Sequence, residues 1–414
     1  MTRLPPQPWM TAASTRAVVD ALQAGGRAVR FVGGCVRDAL LGRRVHDIDI
    51  ATPDPPDTVI ALLARAGLKA VPTGISHGTV TAVAHGQPFE ITTLREDVRT
   101  DGRHAEVAFT DSWEADAARR DFTINAMSSA PDGRLYDPFN GRRDLARGRV
   151  AFVGNPDRRV REDYLRVLRF FRFHARFGRG GPDALGLRAA TALAPELTRL
   201  PGERIRDELT KLLAVGDPGR TVAVMVSLRV LAPIVPGLAA AATLRALIAR
   251  EHRHAVAPDA ERRLAALHRR GDDAAATAER VRLSKAARAR LTALVPAGAG
   301  VAADGPASAL NAALYREGAE RARDRVLLDA ARRDASGTAP TDRAVDAALA
   351  RVAAWTSVRL PISGADVKAA GVPPGPRVGE VVRAVESWWI ERGFQPDRDA
   401  CLAKLTAVVE SGEA

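Results

Sequence analysis

Cysteine is almost missing from this chain. Cys35 and Cys401 are the only two in 414 residues, too few for a disulfide framework or a thiolate metal site. No apolar run approaches the length of a membrane span. The opening stretch MTRLPPQPWM lacks the apolar segment of a secretory signal. No internal repeat is visible. The C-terminal half has no His-x₃₋₅-His-Asp pattern, which excludes a phosphohydrolase metal centre of that kind, and the spacing of His252 and His254 suits no zinc helix motif. Lysine is scarce, so the positive charge is nearly all arginine. These absences set the expectation of a soluble, cytoplasmic protein with no membrane partner, and leave oligomeric state unmarked.

What is present is ample apolar material, 46% of residues, and more length than one ordinary domain uses. The net charge is +12. Abundant arginine beside abundant alanine is also what a GC-rich coding bias produces, so charge alone does not indicate a polyanion partner. Clustering says more. Arg158, Arg159, Arg161, Arg166, Arg169, Arg172 and Arg176 crowd the stretch from Arg149 to Arg179 with few acids among them, which reads as a phosphate-facing surface.

The first 150 residues alternate strand and helix signals. RAVRFVGG reads as a strand ending in a glycine turn, CVRDALLG as a short helix stopped by Gly42, and VHDIDIAT as a strand. TPDPPDTVIALLARAG follows as a loop and helix, then GTVTAVAHGQPFEITTLR as two strands joined at HGQP. From about residue 150 the pattern turns helical, with DRRVREDYLRVLRFFRFHARFG opening a long helix. Loops are expected over 296–308 and 362–379. The expected fold is an α/β head with a small mixed sheet and helices, over 1–148. An all-α neck over 149–215 and an all-α body and tail over 216–414 complete it.

Within FVGGCVRDALLGRRVHDIDIAT, Asp47 and Asp49 stand one residue apart in an apolar run. Residues i and i+2 of a strand share a face, so the two carboxylates are expected side by side. Such a pair facing a cavity suits a divalent, oxygen-seeking cation, Mg²⁺ above all, held jointly with substrate phosphates. Glu90 in FEITT is a third candidate, because Phe89 and Ile91 would face the core and turn it the other way. Three carboxylates would support metal-assisted phosphoryl chemistry. The plainer alternative is a solvated strand edge. Context favours the site: Gly33 and Gly34 let backbone approach a ligand, the helix after them offers N–H groups to phosphate, and Arg37 lies one turn in.

These motifs resemble the nucleotidyltransferase branch that holds bacterial tRNA CCA-adding enzymes and poly(A) polymerases (the class II family). GGCVRDALLGRRVHDIDIAT is followed in the family's order by RRDFTINAM, LYDPFNGRRDL, REDYLRVLRFFRFHARFG and GERIRDEL. The match covers roughly residues 28–213. The resemblance implies a nucleotidyltransferase head, with a neck and body that bind RNA. It implies Mg²⁺-dependent transfer of a nucleotide from CTP or ATP to a tRNA 3′ end without a nucleic-acid template, releasing pyrophosphate. By it, Asp47 and Asp49 hold the metals and Glu90 is a further catalytic carboxylate. Gly33, Gly34, Arg37 and Arg120 contact the incoming nucleotide.

Asp163, Arg166 and Arg169 are spaced three apart on the expected helix, with Arg172 continuing the stripe. Read plainly, Asp163 and Arg166 make an intrahelical ion pair. Read chemically, a carboxylate only accepts and a guanidinium only donates, and cytosine and adenine each offer an amino donor beside an unprotonated ring nitrogen. An Asp/Arg pair therefore complements C and A and opposes U and G. The resemblance assigns that selection to Asp163 and Arg166, with Arg169 and Arg172 assisting. Poly(A) addition is the alternative, weakened by the lack of a GRRF-like segment after the D-x-D. A non-catalytic RNA-binding relative is the other. His77, Cys35 and Trp388–Trp389 read as loop, packing and core residues.

Overall fold

A computed structural model of the chain describes residues 3–101, 104–238, 241–295 and 301–411. They fall into two compact units. One runs to Leu212 and takes in Ser227–Pro233; the other comprises Leu213–Val226 and Ile234–Ala414.

In the first unit, helices α1 (Pro8–Thr11) and α2 (Ala13–Gln23) precede β1 (Arg30–Val32), α3 (Gly34–Leu40) and β2 (Asp49–Thr52). Then come α4 (Pro56–Arg65), β3 (Lys69–Gly74), β4 (Thr79–Ala84) and β5 (Gln87–Thr93). The hairpin β6 (Arg95–Asp101) and β7 (His104–Phe109) stands apart as a two-stranded sheet. After α5 (Trp113–Ala118), the short strands β8 (Ser128–Ser129) and β9 (Leu135–Tyr136) complete a seven-stranded sheet of order β3-β4-β5-β2-β1-β8-β9. Only β2 and β5 pair in parallel, so the sheet is mixed, as expected. β4 and β5 are joined by His85 and Gly86, both at positive φ, the two-residue turn that the right-handed twist of a hairpin prefers.

Alternation along these strands sorts their side chains. Phe31, Ile50, Phe89, Ile91, Val80 and Ala82 are buried, and α2 and α4 pack against β3 and β4. The opposite face carries Val32 and Ala51, packed with Leu94 and Trp113, and by the same alternation Asp49 and Glu90.

The helices α6 (Gly141–Arg147), α7 (Pro156–Glu162), α8 (Leu165–Phe177), α9 (Ala184–Ala192) and α10 (Gly202–Leu213) follow. Three expectations need correction. The strand expected over VHDIDIAT begins only at Asp49, leaving Asp47 in the segment leading into it. The long helix expected from DRRVREDY is two helices: Asp163 is extended (φ −157°, ψ 108°) between α7 and α8. Its carboxylate accepts the Leu165 N–H at 3.1 Å, the local hydrogen bond by which aspartate interrupts a helix. The loop expected over 362–379 holds a helix, Gly364–Ala369, opened by a capping box between Ser363 and Asp366, and a second helix begins at Pro376. Of the loop expected over 296–308, residues 296–300 lie outside the described residues, and a helix begins at Ala307.

The second unit is helical throughout its described residues, an isolated bridge between Leu238 and His268 aside. Its centre is ionic. The Glu251 carboxylate accepts from Arg262 at 2.7 Å and Arg263 at 2.6 Å, and Arg262 also donates to Asp324 at 2.9 Å, all four side chains at 0% exposure. Arg263 further donates to the carbonyls of Leu213 and Gly216 at 2.7 and 2.9 Å. Buried charge on this scale persists only because each group is paired and hydrogen-bonded. Part of the arginine surplus is thus spoken for inside the protein.

Candidate active site

β1 delivers the chain to Gly33, whose φ of +70° is open to glycine at little cost. A Cβ there would lie 2.7 Å from Arg120 Nη1, so the turn and the arginine are in close contact. Arg37, one turn into α3, is buried with its guanidinium 4.3 Å from the Phe177 ring centroid. It donates to Asn125 Oδ1 at 2.5 Å and to both carboxylate oxygens of Asp38 at 2.9 and 3.0 Å. Arg120 is braced by Asp116 at 3.3 Å, which also takes Arg119 at 2.8 Å.

These groups open into a cleft of about 460 Å³. Of the residues singled out from sequence, Gly33, Gly34, Arg37, Arg120, Asp163, Arg166 and Arg169 line it. Asp121, Asn125, Phe173 and Arg204 join them there. Arg172 does not: it is turned to Glu208 at 2.6 Å, with its Cζ 4.5 Å from the Phe173 ring.

The arginine cluster is not one phosphate-facing surface. Arg159 is buried against Glu162 and the backbone carbonyls of Arg119 and Arg120. Arg166 donates through Nη1 to Glu162 at 2.5 Å and to the Arg159 carbonyl at 2.8 Å. Arg169 donates to Asp121 at 2.8 and 2.5 Å and stands 3.6 Å from Glu208. Against the upward push of burial, Arg169 and Asn125 hold the Asp121 carboxyl below its ordinary value. Nor do Asp163 and Arg166 pair with each other, as an unbroken helix would have had them do. Asp163 accepts from Arg204 at 2.8 Å. Asp121 and Asn125 lie in RRDFTINAM, and Arg204 and Glu208 in GERIRDEL; the motifs contained them, but spacing gave no sign that they brace other side chains.

Asp49 and Glu90 lie on the sheet beside this cleft, and Asp47 in the segment leading into β2. Asp49 is directly opposite Glu90 in the β2–β5 register. Asp47 and Glu90 are exposed, Asp49 is half-buried, and Ile48 between the two aspartates is buried. Burial pushes Asp49 up to about 6, with the charges of Glu90 and Asp47 adding to it and Arg120 and Arg37 opposing. None of the three carboxylates has a hydrogen-bond or ion-pair partner among the described residues. Among those residues no group of three or more His, Cys, Asp or Glu is placed to hold a metal by itself. Cys35 is packed against the turn, its thiol pushed up to about 12 by burial. His77 is exposed in a single 3₁₀ turn. Trp389 is core, its Nε1 donating to the Pro396 carbonyl, and Trp388 packs on the same cluster.

Asp47, Asp49 and Glu90, without ion-pair partners among the described residues, stand beside a cleft lined by Arg37, Arg120, Arg166 and Arg169; the fold is that of a nucleotidyltransferase. Residues 29–151 match the Poly A polymerase head domain, and residues 187–242 match the probable RNA and SrmB-binding site of polymerase A. The chain is 32% identical to the mitochondrial CCA tRNA nucleotidyltransferase 1 of Danio rerio, over 91% of this chain and 87% of that one. It is 34% identical to the human protein of the same name, over 91% and 86%. The Bacillus stearothermophilus CCA-adding enzyme, solved in complex with CTP, superposes over 99% of both chains with a TM-score of 0.72 at 28% identity. The chain belongs to the CCA-adding tRNA nucleotidyltransferase family. Among the described residues no helix is long and apolar enough to cross a membrane.

Proposed function

We propose that this chain adds C and A to the 3′ end of tRNA from CTP and ATP, without a nucleic-acid template and with Mg²⁺. Residues 1–148 carry the transfer, 149–215 select the nucleotide and 216–414 hold RNA. The observation that carries the reading is the convergence of Gly33, Arg37, Arg120, Asp163 and Arg166 on one cleft beside an Asp49 that has no ion-pair partner among the described residues. A cytoplasmic setting belongs to the proposal; both cysteines are free and buried, which suits a reducing compartment.

Asp47 and Asp49 would supply one or two hard oxygen donors of the kind Mg²⁺ takes when substrate phosphates complete its shell, with Glu90 opposite Asp49 on β5. A cation held there would neutralise charge on the leaving pyrophosphate and acidify the attacking 3′-hydroxyl. The glycine turn lets a triphosphate approach the backbone, and Arg37 and Arg120 balance its charge. No side-chain nucleophile is needed, because phosphoryl transfer rests on positioning and charge.

Asp163 accepts from the exocyclic amine of cytosine or adenine, and Arg166 donates to the adjacent ring nitrogen. Among the described residues Arg166 spends only Nη1 on its partners, leaving Nε and Nη2 for the base. Arg204 and Glu162 hold the two selectors in place from opposite ends. Uracil and guanine present the reverse polarity and would leave buried groups unpaired, at roughly 1–3 kcal/mol each.

The test is incorporation of each labelled NTP, with Mg²⁺, into tRNAs ending before the first C, before the second C and before the terminal A. C, C and A in turn are expected. Long A tracts on unrelated RNA would make the chain a poly(A) polymerase, and no incorporation by folded protein would make it a binding-only relative.

A further inference from the structure

One cation on the face of Asp49 and Glu90 has no anion among the described residues. Arg30 opens β1, and its Cζ lies 4.0 Å from the Trp113 ring centroid and 3.5 Å from that of Tyr136. Among the described residues it has no hydrogen-bond or ion-pair partner. Its neighbours are neutralised: Arg27 by Asp111 at 2.6 Å and Arg134 by Asp132 at 3.3 Å. Burial, with Arg134 adding to it and Tyr136 opposing, holds the Arg30 guanidinium below its ordinary value. Two aromatic rings occupy the flat of the guanidinium. Its N–H edge, the part that grips phosphate, is left over.

The sheet register says where that edge stands. Arg30 pairs with Ala51 and Phe31 with Ile50 in the antiparallel β1–β2 ladder, which sets Val32 beside Asp49. Arg30 and Val32 share a face, so Arg30 lies on the face of Asp49 and Glu90, one two-residue step of roughly 7 Å further from the Gly33 turn. In-line displacement requires the attacking hydroxyl to approach opposite the leaving group. With the leaving pyrophosphate on the side of Gly33, Arg37 and Arg120, the opposite side is left to the primer, and Arg30 lies in that direction, past Val32 and Ala51, which Leu94 and Trp113 cover.

Resting on the function proposed above, we infer that Arg30 binds an RNA backbone phosphate of the primer, the phosphodiester just before its terminal nucleotide. Trp113 and Tyr136 hold the guanidinium for that contact.

The test uses a tRNA lacking only its terminal A, prepared with an ordinary linkage or with a neutral methylphosphonate between its last two nucleotides. Filter binding and ATP addition are measured for the unsubstituted protein, Arg30→Gln and Arg30→Lys. The methylphosphonate and Arg30→Gln are each expected to weaken primer binding roughly tenfold, without a further loss when combined and with KM for ATP unchanged. Arg30→Lys is expected to recover part of the loss on the ordinary primer. Losses that multiply when combined, or an Arg30→Gln variant that binds primer normally, would overturn the inference. Should Arg30→Gln fail to fold, the unsubstituted protein decides: indifference to the methylphosphonate sinks the contact. Binding is read without turnover, so a protein that binds tRNA through Arg30 yet adds nothing would refute the parent reading alone.

Discussion

Asp163 and Arg204 meet at 2.8 Å, although 41 residues separate them. The pair ties the break between α7 and α8 to the first turns of α10, and it spends one oxygen of a carboxylate whose other oxygen accepts the Leu165 N–H. A carboxylate so held cannot rotate freely, and base selection by shape of the hydrogen-bonding edge requires that it does not.

Arg204→Gln is therefore expected to blur selection more than it weakens binding. UTP and GTP incorporation should rise relative to CTP and ATP by roughly tenfold, with a smaller change in KM for CTP. Asp163→Ala should blur it further. Competition assays with paired labelled nucleotides measure both; unchanged discrimination in Arg204→Gln would remove Arg204 from the selecting group.

Asp49→Asn separates stability from chemistry. Asp49 is half-buried, faces Glu90 in register and is pushed up to about 6 by burial and that charge in spite of Arg120 and Arg37, so removing its charge should raise the melting temperature of the metal-free protein by a few degrees. The same substitution should lower nucleotide addition on the order of a thousandfold and leave tRNA affinity nearly unchanged. Full activity in this variant or in Asp47→Asn would refute the metal assignment.

Glu208 sits buried between Arg172 at 2.6 Å and Arg169 at 3.6 Å. Glu208→Gln leaves Arg172 uncompensated and should cost about 2–3 kcal/mol in urea unfolding. Arg172→Met should cost less, because Glu208 keeps Arg169 at 3.6 Å. The double variant should be more stable than the sum of the two losses predicts, by about 1 kcal/mol or more. Additive losses would show that the pair does not act as a unit.

His268 makes stability fall on the acid side. It is buried, neither ring nitrogen has a partner among the described residues, and burial holds its pKa down to about 4, with Asp273 opposing. The unfolded chain binds a proton near the ordinary value of 6.5 while the folded chain does not. The contribution is thus complete above that value and is lost as pH drops toward 4. The loss is at most about 3 kcal/mol over that window. His268→Phe should flatten this part of the profile in melts from pH 7 to 4.

Much of the site was legible because its chemistry is written in neighbouring residues. Strand, diglycine, helix and D-x-D fall within twenty residues, and alternation around Glu90 correctly turned Phe89 and Ile91 inward. The strand at Lys69–Gly74 was not legible. It holds Pro72 and shows little burial, and the sheet tolerates both because this strand lies at its edge. The break at Asp163 was hidden for a related reason. Apolar periodicity runs on through α7 and α8, and an aspartate that bonds its own backbone looks, in sequence, like any helical aspartate.

Local order was thus enough to determine the class of chemistry: which residue types lie close along the chain, and on which face of a strand they fall, needs only covalent geometry. Which acid holds which arginine was decided in three dimensions. Asp121 with Arg169, Glu208 with Arg172 and Asp163 with Arg204 are each separated by 36 residues or more. A charge that is desolvated on folding takes the nearest opposite charge in space, and distance along the chain has no say in which one that is.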